Sequence, residues 1–317
     1  MSEWTTTAFV FPGQGSQEVG MGADLAERFP AAKAVFEQAD QILGVSLSDL
    51  CFNGPAEELN DTYNTQPALY VMGIAVLRVL EAALPTPPRP AFVAGHSLGE
   101  FTALTASGAL SFEDGVRLVR ERGRLMKKAG ERTPGAMAAL LGLSSDVVRE
   151  LCTEASAKTG KPVVLANDNC DGQLVISGDK DAIEAAMPLA MERGAKKVVP
   201  LTVSVASHSP LMESISAEFR QHLDQTAFTA PTLPVIGNVS AAPLSTVDEI
   251  RFELGAQLTS TVRWTESVGY MLNQGVQRFV ELGPKDVLSG LIKRIDRSAQ
   301  RAALNNAAAV EAFLGDL

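Results

Sequence analysis

The chain has 317 residues, a formal net charge of −10 and a sequence pI near 4.9, a balance that excludes the dominant basic face needed to bind nucleic-acid phosphates. A hydrophobic content of 46% and a charged content of 20%, with no low-complexity tract or internal repeat, describe a globular chain with a sizeable core. Three widely spaced cysteines, Cys51, Cys152 and Cys170, make neither a disulfide framework nor a zinc cluster, so no metal is expected and a reducing, cytoplasmic setting fits them.

Residues 1–7 lack the basic region and apolar core of a signal peptide, and the apolar stretch 67–84 is interrupted by Arg78 and Glu81, so a buried helix is expected there and no membrane role. Thr6-Thr7-Ala8-Phe9-Val10-Phe11 predicts a strand that ends in the loop Pro12-Gly13-Gln14-Gly15-Ser16-Gln17. That loop reads as a plain turn, or as one whose glycines let a backbone N–H approach a ligand as an oxyanion donor must. Helices are expected over 23–43 and 66–84, and the proline-rich connector 85–90 ends the second of them.

Phe92-Val93-Ala94-Gly95-His96-Ser97-Leu98-Gly99-Glu100 is an apolar run passing through Gly-His-Ser-Leu-Gly into helix-forming sequence. It reads as a nucleophile elbow, with Ser97 raised on a strained strand-to-helix turn, or as an ordinary connection between two elements. Ser111-Phe112-Glu113-Asp114 predicts the start of another helix, whose apolar stripe holds Leu118, Val119, Leu125 and Met126. At about 100° per residue, Arg117, Arg120 and Arg124 fall on the far side, whereas Arg122 lies within the apolar stripe. A buried guanidinium requires a partner, either an internal carboxylate or the carboxylate of a substrate.

From Thr133 the pattern becomes strand (136–141), helix (145–157), strand (163–167), Asp171-Gly172 turn, strand (173–177), helix (181–193), strand (197–203), a ferredoxin-like βαββαβ unit. The polar stretch Asn167-Asp168-Asn169-Cys170-Asp171-Gly172 reads as its loop. Ser204-Val205-Ala206-Ser207-His208-Ser209-Pro210 then turns into an amphipathic helix over 211–223. Of the three histidines, His96 points away from its neighbour Ser97 and His222 lies on a polar helix face, which leaves His208 as the candidate general base, against a solvated loop histidine. A strand over 233–238, a helix over 250–260 containing Gln257, a last strand over 278–284 and a helix over 285–295 follow; the alanine-rich tail 301–317 carries no signal.

Taken together, Phe11-Pro12-Gly13-Gln14-Gly15-Ser16-Gln17, Gly95-His96-Ser97-Leu98-Gly99-Glu100, Arg122 and Ser207-His208 resemble the malonyl-CoA:acyl-carrier-protein transacylases over about residues 8–295. The resemblance implies an α/β fold with an α/β-hydrolase-like main domain carrying a parallel sheet (1–132 and 204–317) and the inserted ferredoxin-like domain (133–203). It implies that Ser97 is the nucleophile, His208 the base, the Gln14 and Leu98 backbone N–H groups the oxyanion hole, and Arg122 the clamp for the malonyl carboxylate. It further implies that Gln257 lies near the site with its carbonyl orienting the imidazole, that Asn167 and Asn238 line the site, and that no cofactor is needed. The partners so implied are malonyl-CoA and an acyl carrier protein, with a monomer as the expected state; Arg117, Arg120, Arg124, Lys127, Lys128, Lys196 and Lys197 are either carrier-docking residues or solvated surface. Val205-Ala206-Ser207-His208 partly resembles the Tyr-Ala-Ser-His of methylmalonyl-specific polyketide domains, so a polyketide acyltransferase is the alternative, with a thioesterase or a non-catalytic docking module behind it.

Overall fold

Ten strands fall into two sheets in this computed structural model, which describes residues 3–201 and 205–317 and shows a mixed α/β fold. They are β1 (Thr7–Phe11), β2 (Phe92–Gly95), β3 (Gly135–Leu141), β4 (Val163–Cys170), β5 (Gln173–Asp179), β6 (Lys197–Pro200), β7 (Val235–Ile236), β8 (Pro243–Leu244), β9 (Arg278–Leu282) and β10 (Gln300–Leu304). The larger sheet runs β10-β9-β1-β2-β7-β8, parallel throughout except for β8. Every residue of central β1 is buried, which is why it reads as an unbroken apolar run instead of an alternating one. Its side chains still alternate: Phe9 and Phe11 enter a core with Leu98 and Phe101, while Ala8 and Val10 join Ala94, Trp264 and Leu288 on the opposite face.

The helix Thr62–Ala83 is long and apolar enough by length and composition to cross a membrane, but most of it is buried inside this core. It begins four residues earlier than the periodicity suggests because the Asp61 side chain accepts from the Tyr63 N–H and caps it. The expected helix over 23–43 is two, Ala23–Arg28 and Pro30–Leu43, since Pro30 forces Phe29 into extended backbone at φ −121° and ψ 113°. The helix expected over 250–260 is Val247–Gln257, set by a capping box between Thr246 and Glu249. The strand expected over 233–238 shrinks to β7. The tail is not featureless: β10 pairs with β9, and a helix, Ala307–Gly315, packs behind it.

The smaller sheet has the order β4-β5-β3-β6, antiparallel throughout, with helices Ser145–Thr159 and Lys180–Glu192 between its strands and a core of Leu140, Val148, Leu151, Ile176 and Ile183. The stretch expected as a polar loop is a correction: residues through Cys170 belong to β4, whose bulges after Leu165 and Asp168 let them pair with β5, and only Asp171-Gly172 turns. The end of the strand expected over 197–203, and Ser204, lie partly outside the described residues, and β6 is seen as far as Pro200. Edge strand β4 is tied to the larger unit, with Asn167 bridging to Val262 and the Thr261 hydroxyl donating to the Leu165 carbonyl.

Candidate active site

β2 ends at Gly95, and the helix Gly99–Ala106 begins at once, so the elbow is closed by glycines. A Cβ on Gly95 would lie 1.9 Å from the Gly99 backbone, and one on Gly99 would lie 2.0 Å from the Phe11 carbonyl oxygen. The chain can therefore turn this tightly against β1 only without side chains there. Between them Ser97 sits at φ 50°, in the left-handed region, and so does His208 at φ 59°. Such backbone in non-glycine residues costs about 1–3 kcal/mol each and persists where the surroundings enforce it.

The Ser97 Oγ lies 2.8 Å from His208 Nε2. On the other side of the ring, His208 Nδ1 is 2.7 Å from the Gln257 carbonyl oxygen. A carbonyl only accepts, so Nδ1 carries the proton and Nε2 of the neutral ring accepts from the serine hydroxyl. Burial, and then the positive charge of Arg122, push the His208 pKa down to about 3, against which the Gln257 carbonyl acts. His208 is thus neutral and able to take a proton across the ordinary pH range.

Arg122 comes from the helix Phe112–Arg132, where Ser111 caps the N-terminus as its sequence predicts, and the side chain is 2% exposed. Its Nη1 donates to Gln66 Oε1 at 2.8 Å, and its Nη2 to Gln257 Oε1 at 2.9 Å and to Ser97 Oγ at 3.2 Å. Nε has no partner among the described residues, and none of the ion pairs among them involves Arg122. Of the two partners open to a buried guanidinium, the internal carboxylate is not met by an ion pair among the described residues: the guanidinium is held by neutral amide oxygens beside Ser97. Burial lowers its pKa to about 10, which leaves it charged at neutral pH.

The remaining predicted residues separate by role. Asn238 does not offer its amide to the pocket: Oδ1 accepts from the Ser97 N–H at 2.6 Å and Nδ2 donates to the Gly95 carbonyl at 2.7 Å, so it braces both sides of the elbow. With the Ser97 N–H occupied, the next amide, that of Leu98, stands at the head of the elbow helix. Gln14 has an exposed side chain whose Oε1 accepts from Thr62 Oγ1, and the neighbouring Gly13 packs so closely that a Cβ there would lie 2.4 Å from the His96 carbonyl oxygen. Asn167 is buried in β4, and no hydrogen bond among the described residues joins its side chain to Ser97, His208 or Arg122. His96, set aside as the base, bonds through Nε2 to Asn169 Oδ1 at 2.7 Å and packs edge-on to Trp264.

Sequence reasoning misses Gln66 and Asn169, which carry no motif. It also leaves without a role Glu100, which follows the elbow's last glycine and is fully buried. The basic residues of the Arg122 helix are engaged locally: Arg117 with Glu113, Arg124 with Glu121 and Glu218, Lys127 with Asp61 and Lys128 with Glu218. Arg120, predicted to face outward, is half-buried and stacks over the Tyr63 ring. A cavity of about 680 Å³, within the range of small-molecule sites, opens beside His208 between Cys152, Ser156, Leu165 and Thr261.

An acyl transferase domain model matches residues 8–313. The malonyl CoA-acyl carrier protein transacylase of Bacillus subtilis (strain 168) is 45% identical over 304 residues, covering 96% of this chain and 95% of that one. The crystal structure of the malonyl-CoA:acyl carrier protein transacylase from Xanthomonas oryzae pv. oryzae superposes with a TM-score of 0.94 at 46% identity, over 100% of this chain and 99% of that one. A malonyl-transacylase solved in complex with its type II PKS acyl-carrier protein matches with a TM-score of 0.94 at 40% identity, over 98% of this chain and 99% of that one.

Proposed function

Because this chain belongs to the acyl transferase family of the malonyl CoA-acyl carrier protein transacylases, we propose that it moves a malonyl group from malonyl-CoA to the phosphopantetheine thiol of an acyl carrier protein. The observation that carries this reading is the meeting of His208 Nε2 and Arg122 Nη2 on one serine oxygen, at 2.8 and 3.2 Å. A base beside a hydroxyl makes a nucleophile; a buried cation beside both selects an acyl group that ends in a carboxylate.

Ser97 Oγ attacks the thioester carbonyl carbon as its proton passes to His208 Nε2, and the Gln14 and Leu98 N–H groups receive the oxyanion. Collapse expels the CoA thiolate, which takes the proton from His208, and leaves a malonyl-serine ester. The carrier thiol then gives its proton to His208 and attacks the ester, and Ser97 leaves and is reprotonated. Among the described residues no acidic side chain bonds the imidazole; the Gln257 carbonyl takes the place of the third triad member. Arg122, with Nη2 and the unpartnered Nε, would meet the malonyl carboxylate. Neither a metal nor a redox cofactor is required.

The wider reading is of an α/β-hydrolase-like unit, residues 1–132 and 204–317, carrying a ferredoxin-like insertion, 133–203; the β4-β5-β3-β6 order with two intervening helices supports the latter. A cytoplasmic monomer in fatty-acid synthesis is the setting proposed. A polyketide carrier is the second reading, favoured by the similar transacylase solved with its type II PKS carrier. Intact-mass analysis after mixing with malonyl-CoA tests the proposal. The protein should gain one malonyl group, lose it to holo-carrier, and gain nothing as Ser97→Ala; an adduct on Ser97→Ala, or release as free malonate without transfer, would refute it.

A further inference from the structure

Glu100 is fully buried, one helical turn beyond the nucleophile, and its N–H donates to the Ser97 carbonyl. Its two carboxyl oxygens face two different residues. Oε1 accepts from the Asn238 N–H at 3.4 Å, and Oε2 accepts from Gln257 Nε2. Those two residues each hold several other groups of the site, with Gln66 also on Arg122. Asn238 fixes the Ser97 N–H and the Gly95 carbonyl; Gln257 holds His208 through its backbone carbonyl, Arg122 through Oε1 and the Ser97 carbonyl through Nε2. No ion pair among the described residues involves Glu100, although a lone buried carboxyl is costly. Burial, and then the neighbouring Glu253, push its pKa well above the ordinary range, while Gln257, Asn238 and Arg122 pull it back.

We infer that Glu100 is a positioning residue for acyl selection: by holding Asn238 with one oxygen and Gln257 with the other, it sets Ser97, His208 and Arg122 in one geometry. The Gln257 amide is where this takes effect. Its oxygen must point to Arg122, which only donates, and its NH₂ must then point to acceptors. Glu100 and the Ser97 carbonyl are those acceptors, so Glu100 keeps the amide from rotating and Arg122 from drifting off the nucleophile. A leucine at 100 removes both acceptors at similar volume; a glutamine keeps only one, since its NH₂ would face a donor.

The inference rests on the malonyl-transfer reading, and wild-type selectivity for malonyl-CoA over acetyl-CoA tests that reading separately. The experiment measures single-turnover acylation of Ser97 by both thioesters, by intact mass, per acylatable serine. It compares the wild-type protein with Glu100→Leu and Glu100→Gln. Misplacing reacting groups by about 1 Å costs on the order of 100-fold, so the malonyl-to-acetyl ratio should fall by roughly 10- to 100-fold in Glu100→Leu and by less in Glu100→Gln. A carboxyl that served only stability would lower melting temperature and yield and leave the ratio per active serine unchanged, and that result overturns the inference. If Glu100→Leu is not recovered folded, Glu100→Gln decides alone: a reduced ratio supports the inference and a wild-type ratio refutes it.

Discussion

Replacing Arg122 by methionine removes the guanidinium and keeps an unbranched side chain of similar reach. The size of the effect follows from how the arginine is buried. Its hydrogen-bond partners are Gln66 Oε1, Gln257 Oε1 and Ser97 Oγ, all neutral, and burial, opposed in part by Glu100, brings its pKa down to about 10. That displacement corresponds to ~3 kcal/mol set against the charged form. A substrate carboxylate that met the guanidinium would offset much of this, whereas an acetyl group would offset none, so the arginine is worth roughly 10- to 100-fold in malonyl over acetyl preference. Methionine also leaves two amide oxygens without their donor, so both absolute rates should fall; the ratio is the informative quantity. Stopped single-turnover acylation with the two thioesters, read by intact mass, gives it directly. If Arg122→Met retained the wild-type malonyl-to-acetyl ratio, the carboxylate clamp would be wrong and Arg122 would serve only to hold Gln66 and Gln257.

Two further outcomes are expected. His208 is lowered to about 3 in the folded protein from an ordinary value of 6.5, so between those values the unfolded chain binds the extra proton. Stability associated with this residue is therefore complete above 6.5 and lost as pH falls towards 3, and in the same window kcat/KM should show no acid limb from His208; an inflection near 6.5 in the initial-rate profile, unchanged by the choice of carrier, would contradict the buried neutral imidazole. Gly99→Ala should fail to give folded protein, or lower stability by more than ~4 kcal/mol, because the new Cβ meets the Phe11 carbonyl oxygen at 2.0 Å and backbone has nowhere to retreat; a near-normal melting temperature would show that the elbow and β1 are not so closely packed.

What the sequence reveals about this site depends on whether a residue's work is done locally. Ser97 and its glycines announce a turn because Gly95, Ser97 and Gly99 fall within five residues, even though Gly99 is demanded by the distant Phe11 carbonyl, and Arg122 stands out because a charge interrupts an apolar stripe. Asn238 and Glu100 do their work across the fold, with partners 141 and 157 positions away, and neither has a local pattern to betray it. The same division holds for the elements. Asp61 and the Thr246/Glu249 pair are local signals that locate helix starts better than hydrophobic spacing does. By contrast, Gln300-Arg301-Ala302-Ala303-Leu304 contains no β-branched residue and becomes a strand because β9 offers an edge to pair with. Polar Asn167 to Cys170 likewise read as loop, and are strand because bulges let them follow β5.

The left-handed backbone at Ser97 also narrows which side chain could act there as the proposed nucleophile. Threonine carries the same hydroxyl, but its branched Cβ is a steric outlier at φ 50°. Glycine would suit the turn and supplies no hydroxyl. The choice of an unbranched alcohol at residue 97 is thus made by the main chain before any substrate enters, since the turn that exposes the oxygen is the same turn that rejects a second group on Cβ.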